Sequence, residues 1–222
     1  MLKVGITGGI GSGKSVVCQV FTLLGIPVYD SDYRAKWVMG HDPVLRGELI
    51  RAFGDKVYDA AGHLDRPYLA SLVFNQPRQL ALLNSLVHPR VKADFTAWAA
   101  AAHQAPYILK EAALMYESQA HKQVQRIITV SAPEAVRVAR VLQRDAHRQP
   151  AEVQAIMAKQ LPEAERLARA DFVIWNDDRQ LVIPQVLAIH QQLLALAAQG
   201  NPNPSALKGT SPKNRGGIEG PH

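Results

Sequence analysis

A glycine-rich run followed by a lysine and a serine is the part of this sequence with the clearest chemistry. Gly8, Gly13, Lys14 and Ser15 have the spacing G-x-x-x-x-G-K-[ST] of a P-loop, between a short apolar run and a helical pattern. The glycines let successive backbone N–H groups turn toward one anion, and the following helix adds its positive N-terminus. We therefore predict a nucleoside triphosphate site in which Ser15 binds Mg²⁺. The predicted nucleotide contacts in this run are Gly9, Ile10, Gly11, Ser12, Gly13, Lys14, Ser15 and Val16.

Two carboxylates follow the second apolar run, at Asp30 and Asp32. In an open parallel sheet, ligands lie beyond the carboxyl ends of the strands, so we expect this pair near the P-loop. We predict that Asp32 orients and deprotonates an acceptor hydroxyl, and that Asp30 binds Mg²⁺ through water. The alternative is that one of them only caps the helix that starts near Tyr33.

Basic residues concentrate between Lys122 and Arg148, where six lysines and arginines lie against two acidic residues. Arg140 and Arg144 are four residues apart and share one face of a predicted helix. A basic helix of this kind can close over a nucleotide and stabilise the charge of a transferring phosphoryl group. We predict an Arg-rich lid over about residues 133–163, with a helix face that only meets water as the alternative.

The elements that would position these residues alternate between strands and helices. Short apolar runs rich in β-branched or aromatic residues predict strands buried on both faces, at 4–7, 26–29, 107–109, 127–130 and 172–175. The segments between them have helical periodicity. The predicted fold is therefore the α/β P-loop kinase fold, a three-layer parallel sheet flanked by helices.

The predicted kinase domain spans residues 1–199 and contains an insertion. Residues 42–100 hold no convincing strand and predict a helical acceptor-binding subdomain after the second strand. Breaks between its helices are expected at Asp65-Arg66-Pro67, Gln76-Pro77 and His88-Pro89. Residues 200–222 have almost no large apolar side chains, which predicts a disordered tail.

Composition narrows the class of protein. The chain has 222 residues, one cysteine and a formal charge of +6. It lacks the apolar core of a signal peptide and the roughly 18 apolar residues needed to span a bilayer, so we expect a cytoplasmic protein without a membrane partner. It also lacks the Asn-Lys-x-Asp run usual in guanine-specific switch proteins and the Leu-Ser-Gly-Gly run usual in transport ATPases. A small-molecule kinase is the leading class.

The order of these motifs resembles the dephospho-coenzyme A kinase family. The similarity begins with the P-loop run Gly5-Ile6-Thr7-Gly8-Gly9-Ile10-Gly11-Ser12-Gly13-Lys14-Ser15, including its Thr-Gly-Gly-Ile start, and covers most of the chain before Gly200. No later element is specific by itself, but their order and spacing match the family. These elements are Asp30-Ser31-Asp32, Leu64-Asp65-Arg66, Val87-His88-Pro89, Leu114-Met115-Tyr116-Glu117, Gln143-Arg144-Asp145, Gln160 and Ala170-Asp171-Phe172-Val173-Ile174 with Asn176.

The resemblance implies a reaction, which is transfer of the ATP γ-phosphoryl group to the ribose 3′-hydroxyl of dephospho-coenzyme A. It implies that Asp32 is the base and that Lys14 and Arg140 stabilise the phosphoryl group, with Mg²⁺ present. The products would be coenzyme A and ADP.

The resemblance also assigns binding residues outside the P-loop. Thr7, Arg66 and His88 are expected on the acceptor side together with Asp32, and Asn176 near the adenine. The alternatives are a helix start for Arg66 and turn chemistry for His88 and Asn176.

The chain departs from the family in two places. Ser31 stands where alanine is usual, and Ala113 stands where proline is usual. Losing the proline loosens the backbone between the third strand and its loop, so the placement of Tyr116 and Glu117 is less fixed.

Two rival functions share the P-loop. Another small-molecule kinase, acting for example on a nucleoside or nucleotide, would differ only in its acceptor pocket. A nucleotide-gated nucleic-acid-binding protein would use the basic surface, but no stacking platform of aromatic and basic residues is visible.

We expect ATP and dephospho-coenzyme A as partners, no nucleic acid, and a monomer or weak homo-oligomer.

Overall fold

The computed structural model describes residues 1–74, 76–102 and 104–200, in which a five-stranded sheet has helices on both faces. The strands are β1 (Leu2–Thr7), β2 (Val28–Asp30), β3 (Tyr107–Glu111), β4 (Arg126–Ser131) and β5 (Phe172–Trp175). The helices are α1 (Lys14–Leu23), α2 (Ser31–His41), α3 (Pro43–Phe53), α4 (Arg66–Val73), α5 (Pro77–Ala101), α6 (Glu134–Arg144), α7 (Pro150–Ala158), α8 (Glu163–Ala168) and α9 (Val182–Ala198). Short 3₁₀-helices cover Asp55–Val57 and Ala120–Gln123. The predicted tail lies outside the described residues apart from Gly200.

The strand order is β2-β3-β1-β4-β5, and all neighbouring strands are parallel. Val4 of β1 lies in register with Leu109 of β3 on one side and with Arg126 of β4 on the other. All five predicted strands are found, and the predicted α/β fold is confirmed. The chain leaves β1 toward one edge of the sheet and later fills the other edge, so the carboxyl end of β1 lies at the switch point where such sheets bind ligands.

The two faces of the sheet belong to different apolar clusters. Successive strand residues point to opposite faces, so Leu109 packs with Phe21 of α1 and Leu193 of α9, while Ile108 packs under Phe95 of α5. Each fully buried side chain of this size contributes about 1.5–3 kcal/mol to folding. Lys110 lies two residues after Ile108 in β3 and therefore points to the same face of the sheet. No helix in the described part of the chain is both long and apolar enough to cross a bilayer.

Helices α2 to α5 fill the segment between β2 and β3, where the sequence predicts an insertion. The predicted breaks before α4 and α5 are found. The predicted break at His88-Pro89 is wrong, because Pro89 lies inside α5, which continues from Pro77 to Ala101. Proline removes one backbone hydrogen bond from a helix interior. Here Val87, Val91 and Phe95 are buried along one face of α5, and this packing holds the helix together.

Candidate functional site

The P-loop connects β1 to α1 and wraps around the side chain of Lys14. Gly11 and Gly13 have φ angles of 77° and 89°, in the left-handed region that glycine adopts without strain. The Lys14 ammonium group donates to the Gly8 carbonyl oxygen at 3.1 Å, and α1 begins at Lys14 itself. The first N–H groups of a helix lack partners within the helix, so they and the lysine charge form an anion site here.

Two amide side chains from distant parts of the chain hold the P-loop in place. Asn176, which follows β5, donates from Nδ2 to the Ser12 carbonyl oxygen at 2.9 Å. Gln160, which follows α7, accepts from the Ile10 N–H at 2.9 Å. Gln160 also donates to the carbonyl oxygen of Ala113 at 3.3 Å, which fixes the backbone where the family usually has proline.

Two buried arginines, Arg137 and Arg166, lie against the P-loop at Gly9, where a Cβ atom would overlap the first and crowd the second. Arg137 donates to Glu163 at 3.0 Å, and Arg166 donates to the Leu161 carbonyl oxygen at 2.5 Å. Burial, together with the charge of Arg137, lowers the pKa of Arg166. Neither residue was predicted from the sequence as part of the site. The only available signal was that Arg137 belongs to the basic stretch.

A first cavity of about 530 Å³ opens over the P-loop. Its floor is the loop and the start of α1, and its walls come from α2, the segment after β3, and helices α6 and α7. Most of the predicted nucleotide contacts line it. They are Ile10, Gly11, Gly13, Lys14, Ser15, Val16, Arg140 and Arg144. Gly9 and Ser12 do not line it, because Gly9 faces the buried arginines and Ser12 is buried.

The two predicted lid arginines have different surroundings. Arg140 donates to Asp178 at 2.5 Å and to Asn176 at 3.4 Å, and its Nη1 atom is buried without a partner among the described residues. Arg144 pairs with its neighbour Asp145 at 3.0 Å, and 66% of its side chain is exposed. Arg140 is therefore held at the cavity wall, whereas Arg144 lies at its open edge.

Asp32 occupies the first turn of α2 and lines a second cavity as well as the first. Asp30 is the N-cap of the same helix and accepts from the Tyr33 N–H at 2.8 Å, as the capping alternative predicted. The cap places Asp32 at the carboxyl end of the sheet, open to solvent in the cleft. Leu114 is the other residue shared by the two cavities. A group bound in either cavity can thus approach the Asp32 carboxylate.

Two acidic side chains, those of Asp32 and Glu111, lie near the lysine of the P-loop. Desolvation and the charge of Asp30 raise the pKa of Asp32, although Lys14 partly opposes this. Desolvation lowers the pKa of Lys14, and the charges of Glu111 and Asp32 oppose that shift. Glu111 is the last residue of β3, and its pKa is also raised by desolvation. Glu111 was not predicted from the sequence, although it lies two residues after the predicted strand 107–109, much as Asp32 lies shortly after the predicted strand 26–29.

The second cavity, of about 260 Å³, lies between α2, α5, the end of β3 and the segment that leads to β4. The predicted acceptor residue His88 lines it from α5, next to Val87 and Lys92. Lys110 lines it from the sheet and was not predicted. A mixture of apolar walls and a few charged groups is typical of a cavity for a small organic ligand.

Two residues that were expected on the acceptor side, Thr7 and Arg66, lie outside both cavities. Thr7 is fully buried at the end of β1, and its hydroxyl has no partner among the described residues. Arg66 is exposed at the start of α4 and lines a separate groove with Trp37 and His63. His88 therefore lines the same cavity as Asp32, whereas Arg66 lines a different groove.

The oxygen atoms near the P-loop suit a hard divalent cation held together with phosphates. The Ser15 hydroxyl is exposed in the first cavity, on the same side as Asp32. The described residues contain no group of three or more His, Cys, Asp or Glu side chains arranged to hold a metal alone. Mg²⁺ commonly takes one or two protein oxygens and completes its shell with substrate phosphates and water, and the site fits that pattern.

Comparisons with known proteins agree with this geometry. Residues 2–181 match the family model described as Dephospho-CoA kinase. A dephospho-CoA kinase of Porphyromonas gingivalis is 38% identical over 189 residues, which cover 85% of this chain and 93% of the relative. The solved structure of TT1252 from Thermus thermophilus is similar with a TM-score of 0.73 and 32% identity, over 87% of this chain and 96% of that one. A dephospho-CoA kinase from Campylobacter jejuni has the same fold, with a TM-score of 0.66 and 21% identity over 87% of this chain and 97% of that one.

Proposed function

The chain belongs to the dephospho-CoA kinase family, and from this we propose that it transfers the γ-phosphoryl group of ATP to the ribose 3′-hydroxyl of dephospho-CoA. The products are CoA and ADP. The observation in the site that supports this proposal is that Asp32 lines both the P-loop cavity and the second cavity. We name these the nucleotide cavity and the acceptor cavity from here on.

The chemical step assigns Asp32 the role of base. The ribose oxygen attacks the γ-phosphorus, the bond from that phosphorus to the bridging β,γ-oxygen breaks, and ADP leaves with the bond's electrons. The hydroxyl proton passes to the Asp32 carboxylate. Desolvation raises the pKa of Asp32, and a carboxylate with a raised pKa is a stronger base toward the hydroxyl proton.

Charge on the transferring group is balanced by the P-loop and by α6. Lys14 and the first N–H groups of α1 face the phosphates, and Arg140 faces them from the opposite wall. These groups are already in place before the reaction, so little reorganisation is needed as charge moves. Arg144 adds charge at the open edge when α6 and α7, the proposed lid, close over the nucleotide.

We assign the Mg²⁺ site to the Ser15 hydroxyl, with Asp30 or Asp32 acting through water. When bound, the ion neutralises charge on the β- and γ-phosphates. Ser15 holds its position because it lies in the first turn of α1, and Asp30 holds its position through the cap of α2.

Helices α3 to α5 are assigned to acceptor binding, with His88 as a direct contact. Arg66 is assigned to a more distant part of the acceptor, because its groove lies further along α2. Thr7 is assigned a supporting role beneath the P-loop, and Asn176 is assigned the role of holding the loop beneath the nucleotide.

We also propose a cytoplasmic location, since one cysteine in 222 residues suits a reducing compartment. A monomer or weak homo-oligomer without a nucleic-acid partner completes the proposal.

The test is ADP release from Mg-ATP with and without dephospho-CoA, followed by mass spectrometry of the acceptor. We expect ADP release to depend on dephospho-CoA and the acceptor to gain one phosphoryl group. A panel of nucleosides and nucleotides tests the rival kinase activities in the same assay. Equal ADP release with and without dephospho-CoA would leave the P-loop assignment standing and overturn the acceptor.

A further inference from the structure

The acceptor cavity contains a buried lysine that the reaction described above does not use. Lys110 is only 2% exposed, yet it lines the cavity from the end of β3. Its ammonium group donates to Gln123 Oε1 at 3.0 Å. The same group lies 3.8 Å from the ring centroid of Phe95 and 5.0 Å from that of Tyr29. One acceptor atom and two aromatic faces thus surround an ammonium group with three hydrogen-bond donors.

This positive charge has no carboxylate partner within ion-pair distance among the described residues. Asp94 is the acid with the largest electrostatic effect on it, but both Asp94 oxygens accept from Arg34, and one also accepts from the Tyr29 hydroxyl. Burying an ammonium group without a counter-charge is costly. Burial accordingly lowers the pKa of Lys110 to about 8, which leaves it mostly protonated at neutral pH. A charge of this kind is stabilised when a ligand supplies the anion.

Charge is distributed unevenly along the acceptor cavity. Asp32, at the end shared with the nucleotide cavity, is the one acidic residue among the described residues that line it. Lys110 lies in the floor, and Lys92 lies at the exposed rim on α5. The reacting hydroxyl must approach Asp32, so the cations face a part of the acceptor that does not react. In dephospho-CoA, the anionic group that does not react is the diphosphate.

We propose that Lys110 binds the diphosphate of the acceptor and makes this cavity selective for acceptors that carry an anion next to the ribose. The inference rests on the proposed function and deepens it. Lys110 is a specificity residue, since it contacts a part of the substrate remote from the transferred group. Gln123 holds the ammonium group in the cavity, and the Phe95 ring keeps it from turning back into the core.

The test compares Lys110→Met with wild type, using dephospho-CoA as substrate and adenosine as a competitive inhibitor that lacks the diphosphate. We expect the KM for dephospho-CoA to rise roughly 10- to 100-fold, the range of a lost charge-assisted hydrogen bond. The inhibition constant of adenosine is expected to change less than about 3-fold, and kcat is expected to fall much less than KM rises. Lys110→Arg is expected to restore part of the affinity because it keeps the charge.

Lys3→Met is the matched control. Lys3 lies 5.9 Å from the centroid of the same Phe95 ring but lines neither cavity. Its loss removes a like charge that lowers the pKa of Lys110 and keeps the Lys110 ammonium group, so KM is expected not to rise. Lys110→Gln, which retains a hydrogen-bonding group toward Gln123, provides the same comparison if the Met variant does not fold. An unchanged KM in either neutral variant would overturn the inference. A parallel rise in the adenosine constant would also overturn it, because it would show a distorted cavity. Failure of the wild type to phosphorylate dephospho-CoA would instead reject the proposed function.

Discussion

The two cavities that meet at Asp32 are built in different ways. The floor of the nucleotide cavity, where the phosphates are expected to bind, comes from one continuous run between Ile10 and Val16 at the start of a helix, and its backbone N–H groups form the anion site. The acceptor cavity is formed by side chains from α2, α5, β3 and the segment before β4, which are up to about 90 residues apart in sequence. Phosphates are bound by backbone geometry that a few glycines permit, whereas an organic acceptor is bound by chemically varied side chains.

This difference determines how each cavity responds to mutation. A change in the P-loop alters the path of the backbone and affects every phosphate contact together. A change in the acceptor cavity removes one contact and leaves its neighbours in place. We therefore expect mutations around the nucleotide to affect binding and turnover together, and mutations around the acceptor to separate KM from kcat.

The largest effect is expected at Asp32, because this residue belongs to both cavities. Asp32→Asn is expected to lower kcat by about 10³-fold, since it removes the base and keeps the shape of the side chain. ATP affinity, measured by calorimetry, is expected to stay within about 3-fold, because the phosphate contacts remain. Asp65→Asn is the control, since Asp65 caps α4 outside both cavities. Near-normal turnover in the Asp32 variant would show that another group takes the proton.

The next effect separates the two arginines of α6. Arg140→Met is expected to lower kcat by about 100-fold, because Arg140 is held at the cavity wall by Asn176 and Asp178. Arg144→Met is expected to lower kcat by less than about 10-fold, because its charge is solvent-exposed and already paired with Asp145. Steady-state kinetics at saturating ATP and acceptor measure both. Equal losses would mean that the two arginines act together in a closed lid.

A smaller effect tests whether backbone geometry is what binds the phosphates. Gly11→Ala and Gly25→Ala both place a side chain at a left-handed φ, 77° and 80° respectively. Only at Gly11 would the new Cβ overlap neighbouring backbone, that of Arg137, whereas Gly25 has open space around it. We expect about 1 kcal/mol of lost stability in Gly25→Ala with normal ATP affinity.

In Gly11→Ala we expect a larger loss of stability and ATP affinity lower by about 10-fold, because the loop must move to relieve the overlap. Chemical denaturation and calorimetry measure the two quantities. Equal behaviour of the two variants would contradict the role of close backbone packing at the P-loop.

The same contrast explains how much could be predicted from the sequence. The P-loop and the five strands depend on local patterns, and the structure contains all of them, with β2 shifted to Val28–Asp30. Arg166 and Lys110 were missed because their surroundings depend on which elements pack beside them, which no local pattern records. Arg137 and Glu111 lie in a basic stretch and near the end of a strand, but these local signals do not show what the two side chains contact.

Errors in the helical region have a similar origin. Pro89 was expected to end a helix, but tertiary packing of α5 overrides the local preference. Arg66 and His88 share a predicted role, yet they line different grooves because α2 lies between them. Single motifs in this region indicate a role without fixing which cavity a side chain enters.

The smallest effect concerns stability at the point where the cavities meet. The pKa of Asp32 in the folded protein is raised above its ordinary value of 3.8. At pH values above the folded-state pKa, the ionised carboxylate therefore destabilises the fold, and this penalty disappears as the pH falls below 3.8. Asp32→Asn is therefore expected to be slightly more stable than wild type at pH 7, by less than about 1 kcal/mol because the side chain is open to solvent. The difference is expected to vanish toward pH 3. Thermal unfolding of both proteins across this range measures it, and a less stable variant at pH 7 would mean that the attraction of Asp32 to Lys14 outweighs its desolvation.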